Sequence, residues 1–143
     1  MIAMGKKSEK IQLLLERHRG KSLDAHYLCY FDCFNSALYY EAHDVLEELW
    51  LPVRREDGAA FYKGLIQLAG AFVHLQENRL RPAASLFKLS QANLKNFPAV
   101  HKRLSVAEVL GLIETWLAKL ESGGIHLNPL DQETAPKLEL IGD

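Results

Sequence analysis

The sequence predicts an all-α fold, a compact irregular bundle of five to six helices followed by an extended C-terminal tail. Three observations point there. Apolar residues recur at i, i+3, i+4 and i+7 in several separate segments, the period of a helix with one buried face. Only Lys137-Leu138-Glu139-Leu140 alternates with the period of a strand, and it has no evident partner. One segment, Ala59 to Asn78, is apolar on nearly all sides, as a helix in the middle of a bundle must be.

In chain order, Lys6 to His18 carries the stripe Ile11, Leu14, Leu15 and His18, with Ser8 as a candidate cap and Gly20 as the stop. The basic opening (Lys6, Lys7, Lys10) reads as a solvated first turn. Leu23 to Asn35, started near Ser22 or Asp24, is rich in aromatics: Tyr27, Tyr30, Phe31 and Phe34. Asn35-Ser36 turns the chain into a third helix, Tyr39 to Trp50, and so short a link makes the two helices neighbours. Leu51-Pro52 ends that helix, because the residue before proline avoids helical backbone. The charged stretch to Gly58 is then a surface connection and a candidate lid.

Phe61, Leu65, Leu68, Phe72 and Leu75 form one face of the fourth helix, and Tyr62, Ile66, Ala69 and Val73 widen it. A narrow ribbon remains, Lys63, Gln67 and His74, with Gly70 between the last two as a point of close backbone approach. Ala83 to Phe97, with Pro82 at its start, places Leu86, Leu89, Leu94 and Phe97 at helical spacing. Ser105 and Glu108 form a capping-box pattern before Val106, Val109, Leu110, Ile113, Leu117 and Leu120, and Gly123-Gly124 stop that helix. From Ile125 on, Pro129 and Pro136 mark an extended segment lying across the bundle.

A chain of 143 residues suits one domain, 1–143, and can bury a core without disulfides or metal. A net charge of −1 argues against nucleic acid as a partner. The longest run without charge, Gly64 to Gln76, is too short to span a bilayer. No signal peptide is visible, so a soluble cytoplasmic protein with no membrane partner is expected. Cys29 and Cys33, four apart on one helix, read as reduced core thiols, since neither they nor His26 match a zinc-finger spacing. The aromatics around Tyr27 and Tyr30, read as exposed, would suit a homodimer.

The densest concentration of chemistry lies on the third helix. Tyr39, Ala42, Val45, Leu46, Leu49 and Trp50 share its apolar face, while Asp44 and Glu48 point away. His43 and Glu47 sit one turn apart at the edge, next to Tyr40 and Trp50. A partly buried His/Glu/Gln/Trp cluster follows if this edge meets the Gln67–His74 ribbon of the fourth helix. The expected ligand-binding residues are therefore Tyr40, His43, Glu47, Trp50, Tyr62, Gln67 and His74.

The run Phe34-Asn35 and Tyr39 to Trp50, with Phe61 to Ala69, His74-Leu75 and Asn78, resembles the small helical family called domain of unknown function three hundred and nine. The resemblance covers roughly residues 27–96 and implies an all-α fold but no reaction. Glu41, His43, Glu47, Trp50, Gly64, Gln67 and His74 fall on that family's signature positions. Ala37 and Pro82 stand where the family often has glycine, and Leu51 where a basic residue commonly follows the tryptophan.

Two functions follow. The first is a module binding a protein or a small ligand, with no cofactor. It draws on two turn-then-helix segments, Asn35 to Leu46 and Asn78 to Leu89, loosely like tetratricopeptide hairpins. The second is a metal-dependent or acid–base enzyme of hydrolase type. His43, Glu47 and His74 would then be ligands of a divalent metal or proton-transfer groups, with Lys63 or Tyr62 facing a developing anion. No HExxH or ExxH pair, G-x-S-x-G elbow or Gly-rich phosphate loop is present.

Overall fold

A computed structural model describes residues 5–122 and 127–142, with side chains from residue 9 onward. It is an all-α bundle. The helices are α1 (Gly5–His18), α2 (Ala25–Asn35), α3 (Tyr39–Trp50), α4 (Ala59–Gln76), α5 (Leu80–Leu94) and α6 (Val106–Ser122). A 3-10 turn, Leu51–Val53, follows α3, and a small hairpin of β1 (Val100–His101) and β2 (Leu104–Ser105) precedes α6. None of the described helices is long and apolar enough to cross a membrane.

Local chemistry explains most boundaries. The Asp24 carboxylate accepts from the His26 amide at 2.7 Å and so caps α2. Ser105 Oγ accepts from the Glu108 amide at 3.2 Å at the start of α6. Ser8 does not cap α1, which already begins at Gly5. The expected stop at Gly123-Gly124 lies outside the described residues.

Helix α4 is the centre, and Phe72 is its hub. The Phe72 ring stacks on Tyr39 of α3 at 5.0 Å and meets Phe34 of α2 edge-on at 5.5 Å. It also contacts Phe87 of α5 at 5.2 Å and Trp116 of α6 at 5.0 Å, both edge-on. Four helices thus converge on one buried ring. Buried polar ties add direction: the Tyr30 hydroxyl donates to the Leu65 carbonyl and the Ser90 hydroxyl to the Gly64 carbonyl, each at 2.7 Å. Gly64 lets α5 approach, because a Cβ there would lie 2.8 Å from both Cγ and Cδ2 of Leu94, a fully buried side chain.

The structure corrects several expectations. Tyr27 and Tyr30 are buried, at 1% and 0% exposure, so they offer no surface to a second copy. Helix α5 ends at Leu94, short of Phe97, and buries Ala83, Phe87, Ser90 and Leu94 while Leu89 stands half-exposed. The face is rotated because Phe87 is what reaches Phe72. Trp116 joins the buried face of α6 for the same reason. The hairpin was not expected, since its two turn residues, Lys102 and Arg103, both adopt positive φ (48° and 62°) without glycine or asparagine. Tertiary bonds hold it: the Tyr27 hydroxyl donates to the Lys102 carbonyl at 2.9 Å, and the Ile141 amide to the Arg103 carbonyl at 2.6 Å.

The tail does run extended across the bundle. Asn35 holds it by both amide groups, donating to the Leu138 carbonyl at 2.8 Å and accepting from the Leu138 amide at 2.7 Å. Asn128 donates to the Leu75 carbonyl at 2.6 Å near the end of α4.

Phe72→Ala should cost about 3–5 kcal/mol in urea unfolding, the range for deleting a fully packed aromatic. Gly64→Ala should cost about 1–3 kcal/mol, because Leu94 has nowhere to go, and the loss should shrink in a Leu94→Val background. His101 lies edge-on to Phe61 at 4.6 Å and packs on Phe97 at 5.2 Å. Burial, and then the charge of Lys102, hold its imidazole below the ordinary range. The folded state therefore binds this proton less readily than the unfolded chain. The resulting stability is complete above the unfolded value of about 6.5 and is lost as pH falls through the folded one. Wild type should lose more stability than His101→Phe between neutral pH and mildly acidic pH, as denaturation curves at the two pH values will show.

Candidate functional site

Helix α3 presents His43, Asp44 and Glu47 together. One ligand atom from each lies within 4.8 Å of the others, and all three residues are half-buried. His43 Nδ1 is 3.2 Å from Asp44 Oδ1. The expectation that Asp44 points away from this edge is therefore wrong. Adjacent residues on a helix diverge at Cβ, but a short carboxylate can swing back to a neighbouring imidazole, and here it does.

The ring edge of His43 rests on α4 at Gly70, where an added Cβ would sit 3.9 Å from His43 Cδ2. Beside this contact, between α3, α4 and α5, opens a cleft of about 200 Å³. Tyr40 and His43 line it from α3. Gln67, Gly70 and His74 contribute the α4 ribbon, and Ile66, Val73 and Leu86 supply apolar walls. The Gln67 carbonyl oxygen is already engaged by the Asn93 amide at 2.7 Å. His74 Nδ1 is buried without a hydrogen-bond partner, an uncommon state for a polar atom. The tautomer that leaves this nitrogen bare and puts the proton on Nε2 costs least.

The structure thus gathers Tyr40, His43, Gln67 and His74 around one cleft and sets the remaining candidates elsewhere. Trp50 does not line it, and the Lys63 ammonium lies 5.8 Å over the Trp50 ring. Tyr62 packs at 6.3 Å on Tyr27 and lies 5.9 Å from the Lys102 ammonium, at the hairpin side of the molecule. Glu47 belongs to the α3 cluster and not to the cleft lining, whereas His74 lines the cleft and stands outside the cluster. Asp44, Leu86 and Asn93 had escaped sequence reasoning. Asp44 alone carried a signal, its adjacency to His43.

Other reactive groups are spoken for. Cys29 and Cys33 are free and buried, and the Cys29 thiol is pushed up by its hydrogen bond with Cys33 and by burial. His26 lies 3.2 Å from the Asp24 carboxylate and 3.5 Å from that of Glu48. His18 Nε2 joins Asp32 at 2.5 Å, tying α1 to α2.

The segment from Tyr27 to Leu86 takes in most of α2, all of α3 and α4, and the first half of α5. The chain matches the domain of unknown function DUF309 over residues 27–86. The DUF309 match spans the α3 cluster and every residue of the cleft lining. An uncharacterised protein of Aquifex aeolicus (strain VF5) is 28% identical over 90 residues, which is 63% of this chain. The chain spans only 27% of that relative's length. No solved structure matches the chain.

Proposed function

We propose that this chain is a divalent-metal-binding helical module, with His43, Asp44 and Glu47 as the protein ligands and the adjoining cleft as the place where a small molecule meets the ion. The observation that carries this reading is the mutual reach, within 4.8 Å, of one imidazole and two carboxylates carried by a single helix. Two ligand atoms each about 2.1 Å from a tetrahedral ion lie about 3.4 Å apart, so modest side-chain rotation closes the set. Two carboxylates offset the charge of a dication, and the imidazole shifts preference toward Zn²⁺, Mn²⁺ or Fe²⁺ over Mg²⁺ or Ca²⁺. Three protein ligands leave coordination positions open, as catalytic ions require. An ion held here would act as a Lewis acid on a polar group of whatever the cleft holds. This favours the metal-dependent alternative over a module without a cofactor.

In calorimetry on protein stripped with EDTA, one equivalent of Zn²⁺ or Mn²⁺ should bind. At a free concentration about 100 times Kd, the ion should raise unfolding stability by about 2.7 kcal/mol. Asp44→Asn with Glu47→Gln should abolish both effects while leaving the metal-free melting curve in place. A chain that takes up no ion and whose melting temperature ignores added metal would overturn the proposal.

A further inference from the structure

The cleft's lining is specific enough to name a ligand class. We infer that it binds a small, neutral, single-ring molecule that accepts a hydrogen bond through a carbonyl-type oxygen, as an aromatic or cyclic amide does. This rests on the reading of the cleft as a ligand site given above, but not on the ion.

Size comes first. An apolar cavity of about 150 Å³ takes benzene, so a cleft of about 200 Å³ accommodates a single ring bearing one small polar substituent. Most drug-sized ligands need about 300 Å³ or more. Charge comes next. None of the residues lining the cleft is Lys, Arg, Asp or Glu. An ion entering it would shed water without gaining a counter-charge from the walls. The carboxylates of Asp44 and Glu47, gathered beside His43, additionally disfavour an anion when no metal is present.

Polarity then sets the ligand's hydrogen-bonding sense. With the Gln67 carbonyl held by Asn93, the amide nitrogen of Gln67 is the group left to offer, and it can only donate. His74 lines the cleft with Nδ1 buried and unpartnered, so Nε2 is its remaining ring nitrogen, a donor in the tautomer of least cost. These two donors select a ligand that carries an acceptor, and the Tyr40 hydroxyl and the His43 imidazole share the lining with Ile66, Val73 and Leu86. Shape follows from Gly70. A Cβ there would come within 3.1 Å of Leu86 Cδ1, so glycine is what allows Leu86 and the His43 ring to stand this close over α4. A side chain at Gly70 would therefore displace Leu86, one of the cleft walls.

Benzamide is the probe. Protein-observed NMR on the full chain, in EDTA and separately with Zn²⁺, should show saturable shifts at cleft residues with Kd on the order of 1–10 mM, as befits so few atoms. Benzoate and benzylammonium should bind markedly more weakly. Gln67→Glu, which keeps the shape and the oxygen that holds Asn93 but removes the donor, should weaken benzamide about two- to tenfold. Gly70→Ala, which forces Leu86 to shift, should weaken it independently. Benzamide binding in EDTA by a chain that takes up no Zn²⁺ would leave this inference standing while removing the metal reading. Zn²⁺ uptake without saturable benzamide binding would do the reverse. The inference is also overturned if benzoate binds as well as benzamide, or if neither substitution changes the affinity.

Discussion

The convergence of four helices on Phe72 is the constraint from which the rest of the molecule follows. Its ring is met by Phe34, Tyr39, Phe87 and Trp116, one from each of α2, α3, α5 and α6. Edge-on and stacked aromatic pairs have preferred geometries and add about 0.5–1.5 kcal/mol each beyond simple burial. Each partner therefore sets the rotation of the helix that carries it. Phe87 turns α5 so that Leu94 meets Gly64 and Leu86 meets Gly70. Tyr39 turns α3 so that His43, one helical turn further along, lands on Gly70 as well.

That rotation is what makes a cleft. A helix as apolar as α4 is covered on several sides, and only its Gln67–Gly70–His74 ribbon is left to face polar groups. Two glycines bring α5 close at Gly64 and allow both Leu86 and His43 to approach at Gly70. Tight packing at those points leaves the volume between them open. The polar atoms there are not a self-sufficient network, since Gln67 is half engaged and His74 Nδ1 is unengaged. The α3 cluster sits at the edge of this space because His43 belongs to both.

The periphery shows the opposite logic, in which tertiary bonds impose a backbone that local preference resists. Lys102 and Arg103 both hold positive φ, a conformation that costs about 1–2 kcal/mol for each residue with a side chain. The Tyr27 hydroxyl and the Ile141 amide occupy the two turn carbonyls and offset that cost. The tail, in turn, is anchored by Asn35 at the end of α2. Asn35, Tyr27 and the hairpin thus join segments that lie far apart in the sequence.

By itself the sequence determined the helices, the central place of α4 and the gathering of the His43 edge with the Gln67–His74 ribbon. Periodicity and capping are local, and a helix apolar on nearly every side has few places to go. It could not determine the rotation of α5 about its axis, because Leu89 and Phe87 are equally apolar and only contact with Phe72 chooses between them. Nor could it determine that Trp50 and Tyr62 leave the cleft, or that Asp44 turns toward His43. A helical wheel places Cβ atoms, whereas side-chain direction depends on what neighbouring elements leave open. The hairpin was illegible for a related reason: its turn residues carry no preference for the backbone they adopt, and the bonds that hold them come from residues 75 positions before and 38 after.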